Sequence, residues 1–369
     1  MKIKTPCRIL SGMEKTRIAE SIQIGNKTVS DDAVFVVAEM SANHLKDYQR
    51  ACRIIREAAE AGADAVKLQT YTADTLTLNC DKERFVEHGN LWEGTPSYRL
   101  YEEASTPWEW HPGLMEEAKK YGMELFSSPF DPTAVAFMQE CGMPACKIAS
   151  YEITDIPLIR LCARTGRPVI IATGVATRED IEKAVEACLA EGNGQIVLLK
   201  CVSAYPTPYE ACNLRMMTWL KETYHCITGI SDHTMGGAVP VASVALGGRM
   251  IEKHLTLRRA DGGPDAGFSM EPEEFARMVE DVRHAHAALG QKEYDLTAFQ
   301  KQRRDAGARS LFVTKDIRRG EVFTEENIRS IRPGGGLPPV MIDQVLGKTA
   351  IRDLETGDPL TKDDVEGLT

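Results

Sequence analysis

Two lysines stand inside otherwise apolar runs, Lys67 in AVKLQ (65–69) and Lys147 in ACKIA (145–149). A buried ammonium without a partner is costly, so each needs a carboxylate, a route to solvent or an anionic ligand. Pairing with a neighbouring carboxylate such as Glu39 or Glu152 is one reading. Grouping with the hydroxyls of Ser128, Ser150 and Ser231 as a cradle for phosphate and carboxylate is another. A third makes one lysine a Schiff-base nucleophile. His233 and His254 each close a further apolar run. Two imidazoles joined by Glu39 would suit manganese or magnesium with open positions, whereas structural zinc takes four protein ligands. A satisfied core histidine or a general base is the alternative for either.

All these residues occupy one kind of position, the end of a short apolar run, so the elements that carry them decide whether they meet. From about 34 to 288 the sequence repeats a β-branched run, a polar loop and a segment of helical period. The runs at 34–39, 65–69, 123–127, 145–149, 168–172, 195–200, 226–230 and 249–253 are eight candidate strands. Eight parallel strands close a TIM (β/α)8 barrel, an α/β fold whose reacting groups come from the C-terminal strand ends; a doubly wound sheet is the competing arrangement. By position, polar tips then converge: Glu39 with Ser41, Asn43 and His44; Cys201 with Ser203 and Tyr205; Ser231 with His233; Glu252 with His254. Helices should start at Asp131-Pro132, Thr177 and Glu271-Pro272.

Around this barrel, placed at 31–288, other textures appear. Residues 1–30 read as an N-terminal extension whose 17–30 stretch alternates through Gly25-Asn26, suiting a hairpin that plugs the barrel floor. The insertion at 71–110, aromatic and charged, should lie over the C-terminal mouth. Residues 289–307 are polar and read as a linker, and 308–369 as a small β-rich domain.

With 43% hydrophobic residues and apolar runs too short to span a bilayer, a soluble protein is expected, and the charged first 30 residues place it in the cytoplasm. Ten cysteines without CxxC spacing suit buried thiols in a reducing compartment. A net charge of −10 argues against a nucleic-acid surface but leaves room for a local positive pocket.

Eight motifs, AEMSANH (38–44), GADAVKLQTY (62–71), SSPF (127–130), CKIASYE (146–152), ATG (172–174), YPTPYE (205–210), GISDHT (229–234) and EKH (252–254), stand in the order found in sialic acid synthases. The chain resembles that family over nearly its whole length, and DIRRGEVFTEENIRSIRPG resembles its small antifreeze-like (SAF) domain. Ice binding does not follow, because a shared fold does not carry function with it.

The resemblance implies condensation of phosphoenolpyruvate with an amino sugar and water, without nucleic acid or membrane, in a domain-swapped homodimer. Lys67, Ser128, Lys147, Ser150 and Ser231 would hold phosphoenolpyruvate. His233 and His254 would hold manganese, or magnesium or cobalt. Tyr205 and Asp265 would face substrate, and Arg332 would reach the sugar from the neighbouring subunit. Glu39 would orient or deprotonate the attacking water, and Glu152 would stabilise the cation it meets. Ser41-Ala42, the segment 91–111 and GGPDAGFSMEP (262–272) resemble the branch that makes pseudaminic acid from a diacetamido-trideoxy hexose. Ala172 and Ser203 depart from the neuraminate pattern of Ser before Thr-Gly and Asn before Tyr-Pro-Thr.

Overall fold

In the computed structural model, residues 16–89, 91–291 and 293–368 are described; the start of the expected N-terminal extension, 1–15, lies outside them. Two units divide at Gly290 and Gln291.

In the first unit, Ile22–Ile24 (β1) and Lys27–Val29 (β2) form an antiparallel hairpin turned at Gly25, whose φ of 59° is one that glycine adopts without strain. Eight strands follow: Phe35–Glu39 (β3), Ala65–Thr70 (β4), Glu124–Pro129 (β5), Cys146–Ile148 (β6), Val169–Ala172 (β7), Ile196–Cys201 (β8), Ile227–Asp232 (β9) and Met250–His254 (β10). They pair in parallel and in sequence order, and β10 closes on β3. Closure excludes the doubly wound sheet. Below their polar tips the strands are largely apolar on both faces, as a sheet covered by helices outside and packed inside requires.

The two faces divide the apolar residues. Val36, Val66, Leu68, Ile171 and Ile230 join the sheet–helix core. Phe35, Phe126, Val197 and Met250 fill the barrel's lower interior, where Ile22, Ile24 and Val29 of the hairpin pack against them, as a floor plug should. The interior is thus a filled core below and open only above, where the strands end in polar residues.

The helix starts behave as their sequences demand. Asp131 accepts hydrogen bonds from the Thr133 and Ala134 amides, while Thr177 with Asp180 and Glu271 with Glu274 form capping boxes. After β4, the insertion builds short helices at Ala73–Leu76 and Ser97–Ala104 and returns to the barrel through the helix His111–Lys120. Its Trp92 indole donates to the Pro264 carbonyl at 3.0 Å, tying the insertion to the loop after β10.

The second unit opens with the helix Ala298–Gly307, inside the stretch read as linker. Ser310–Val313 (β11) and Ile328–Ile331 (β12) pair antiparallel, and Leu311, Phe323, Ile328, Leu354 and Leu360 make a separate small core. Among the described residues no helix is long and apolar enough to cross a membrane.

Candidate active site

A cavity of about 740 Å³ opens at the C-terminal strand ends, roofed in part by Leu76, Trp92, Leu100 and Tyr101 of the insertion. Strands alternate their side chains, so Glu39, Lys67, Lys147, Ser231, Glu252 and His254 all face this cavity while their strand neighbours face the helices.

The two lysines meet carboxylates. Lys67 Nζ lies 2.7 Å from Glu39 Oε2 and 3.8 Å from Glu252 Oε1, and it donates to Ser128 Oγ at 3.3 Å. Lys147 Nζ lies 3.6 Å from the same Glu252 oxygen, to which Ser231 Oγ donates at 3.0 Å. Gln69 Nε2 fixes Glu39 from the other side at 2.9 Å and also donates to Ser41 Oγ. In this structure both lysines therefore pair with carboxylates, and Glu252 rather than Glu152 is the partner they share.

Burial and charge set the protonation states. Burial pushes Glu39 up to about 7, against the pull of Lys67 and with help from Glu252. Glu252 is buried as well, yet Lys147 and Lys67 outweigh that and hold it below the ordinary carboxylate value. Burial lowers Lys147, and the like charge of Lys67 adds to the effect. For Lys67, burial loses to Glu252 and Glu39, which keep the ammonium charged. Glu152 is raised by burial to about 7, and its Oε2 has no hydrogen-bond partner among the described residues. Asp265 is raised by burial too, although Ala42 N donates to its Oδ2 at 3.2 Å.

His233 and His254 stand side by side, with ring centroids 5.3 Å apart. His233 Nδ1 donates to the Val202 carbonyl at 3.1 Å, and although burial lowers the imidazole, Cys201 and that carbonyl hold it above its usual value. His254 Nδ1 is buried without a hydrogen bond, 4.0 Å from Asp265 Oδ2. Burial and then the charge of His233 hold His254 well below the usual imidazole value, so it is neutral. An orphaned ring nitrogen beside a second imidazole fits a divalent ion whose other positions are taken by water or substrate. Glu39, the third ligand considered, is held in this structure by Lys67 and Gln69.

Glu39, Lys67, Lys147, Ser150, Glu152, Tyr205, Ser231, His233, His254 and Asp265 line this one cavity. Ser128 is buried behind Lys67. Tyr205 packs on His233, with centroids 4.4 Å apart, and on Phe268. Arg332 belongs to the second unit, directly after β12. From the sequence Glu252 and Gln69 are polar strand tips that were not singled out for a role. Each lies two residues along its strand from one that was, His254 and Lys67, and so shares its face. His111, which opens the helix His111–Lys120, is buried and bonded to Thr70 Oγ1 at 2.9 Å.

An eight-stranded parallel barrel with lysines, carboxylates and paired histidines at its C-terminal mouth defines a TIM-barrel enzyme for an anionic substrate. The NeuB family model matches residues 54–294 and the SAF domain model residues 308–366. The chain is 45% identical over 343 residues to pseudaminic acid synthase of Campylobacter jejuni, covering 93% of this chain and 99% of that one. It is 43% identical over 331 residues to pseudaminic acid synthase of Helicobacter pylori, covering 90% and 97%. The crystal structure of N-acetylneuraminic acid (sialic acid) synthetase from Leptospira borgpetersenii superposes with a TM-score of 0.69 at 32% identity, over 78% of this chain and 95% of the other. This chain belongs to the NeuB family.

Proposed function

We propose that this protein is a pseudaminic acid synthase, condensing phosphoenolpyruvate with a diacetamido-trideoxy hexose and water to give pseudaminic acid and phosphate. The observation that carries the reading is Lys67 and Lys147 converging on Glu252 beside His233 and His254 at the closed end of one cavity. The relatives of like length named above support the choice of sugar.

Phosphoenolpyruvate brings a carboxylate and a phosphate to this end of the cavity. Lys67 and Lys147 offset those charges, with Ser128, Ser150 and Ser231 as hydroxyl donors, in a site where burial makes each interaction stronger than in water. His233 and His254 would hold a divalent ion, manganese or else magnesium or cobalt, which supplies Lewis-acid polarisation of the sugar aldehyde. The enol carbon attacks that aldehyde, and Asp265 and Tyr205 orient the sugar. Water then adds to the cationic carbon, and phosphate departs by carbon–oxygen cleavage. Glu39, half ionised near neutrality, suits removal of the proton from that water. Ionised Glu152 stabilises the cation. Arg332 contributes a planar fork to the sugar from a partner's second unit, in a domain-swapped homodimer working in the cytoplasm.

The test offers phosphoenolpyruvate with each of the pseudaminate, legionaminate and neuraminate precursor sugars and identifies products by mass and proton spectra. Pseudaminic acid with stoichiometric phosphate is expected. A different nine-carbon acid would reassign the sugar, and covalent trapping by borohydride without phosphate release would replace the mechanism with a Schiff-base aldolase.

A further inference from the structure

The β9–β10 ladder ends at the pair Asp232 and Lys253. His233 and His254 each lie one residue beyond that last rung. Behind them, in the layer between sheet and helices, Lys253 Nζ lies 2.6 Å from Asp232 Oδ2, both side chains being 1% exposed. The same ammonium donates to the Thr234 carbonyl. Asp232 in turn accepts from the Thr234 amide and from its hydroxyl, both at 3.0 Å.

One cation from the residue before His254 thus grips the residues on both sides of His233. A buried ion pair is a poor device for stability alone, since apolar residues of similar volume often serve as well or better. What it fixes is the better account of it. Two backbone anchors act on each histidine separately: Thr207 N donates to the His233 carbonyl, and Met270 N donates to the His254 carbonyl. The Asp232–Lys253–Thr234 clasp ties the two histidine segments to each other behind the sheet, as the Ser231–Glu252 hydrogen bond does on the cavity side.

We propose that Lys253 and Asp232 are positioning residues that set the distance and orientation of His233 and His254 for a shared divalent ion. This rests on the metal reading above. Outer partners that orient ligands typically alter metal affinity by about 10- to 100-fold when lost.

The full-length protein, freed of metal, is titrated with Mn²⁺ alone, and free ion is followed by electron paramagnetic resonance. Circular dichroism and thermal melting monitor the fold. Lys253→Met keeps chain length without charge, Lys253→Arg restores the cation, and Asp232→Asn keeps shape while removing the anion. A weakening of Mn²⁺ binding by about 10-fold or more in Lys253→Met and Asp232→Asn, with partial recovery in Lys253→Arg, supports the clasp. Binding of phosphoenolpyruvate without metal should stay within about twofold of the parent. If Lys253→Met fails to fold, Asp232→Asn carries the comparison. Parent-like Mn²⁺ affinity in a folded variant overturns the inference while leaving the metal reading intact. A parent protein that binds no Mn²⁺ overturns both.

Discussion

Replacing Lys67 by Met removes one ammonium from between two buried carboxylates and nearly preserves side-chain length. Its consequences divide into binding and stability. Phosphoenolpyruvate loses one charge-assisted hydrogen bond of about 1.5–3 kcal/mol. At about 1.36 kcal/mol per decade, the KM for phosphoenolpyruvate should rise roughly 10- to 150-fold, while the KM for the sugar changes much less. Breaking a buried pair by removing one partner also costs about 3–5 kcal/mol of stability, because Glu39 loses its contact at 2.7 Å and Glu252 one of its two lysines.

The sign of the pH effect follows from Glu39. Its carboxyl is raised to about 7 in the folded protein, so its contribution to stability is full below the ordinary value of 4.5 and is lost as pH rises through about 7. Lys67 is one of the groups lowering that carboxyl, so its removal carries the loss to still higher pH. Glu252, held low by both lysines, shifts in the same direction. The melting-temperature difference between parent and Lys67→Met should therefore be small near pH ~5 and grow towards pH ~8. Steady-state kinetics in each substrate and thermal melts across this range measure both effects. A change confined to the sugar KM would move the anion site elsewhere. A pH-independent melting difference would remove the two carboxylates from the argument.

Chelation should abolish synthesis and Mn²⁺ should restore it, and His233→Ala should lower Mn²⁺ affinity in direct titration; full activity of His233→Ala with chelator present refutes the metal reading. Glu152, raised by burial to about 7, should give kcat/KM an ascending limb near that pH as its carboxylate ionises, and Glu152→Gln should flatten the limb and lower the plateau. An unchanged limb in that variant would assign it to another group. Arg332→Ala should mainly raise the sugar KM. Mixing it with Lys67→Ala should recover activity after subunit exchange, verified by native mass spectrometry, because some mixed dimers then hold one intact site; no recovery would leave Arg332 serving its own barrel or none.

The barrel was legible because both of its periodicities are written locally. Short β-branched runs alternate with capped helices, and the Asp131, Thr177 and Glu271 starts are visible as residue types. The site was legible as a set of positions, since a polar residue ending an apolar strand has a known place at the mouth. Its pairings were not, because they depend on barrel closure. Glu252 meets Lys67 and Lys147 from two other strands, and nothing in EKH states which lysine it will face. Closure also gave Glu39 a partner that its sequence neighbours do not name. Being next to β10 made it a geometric candidate for the metal, and in the closed barrel Lys67, on the adjoining strand at the same register level, lies 2.7 Å from its carboxylate. The same logic makes Asp232 and Lys253 informative. In sequence they are only the neighbours of two histidines, whereas in the sheet they form the last rung beneath them. A charge that neither faces the cavity nor reaches water must be accounted for by what it holds in place, and here that is the pair of imidazoles.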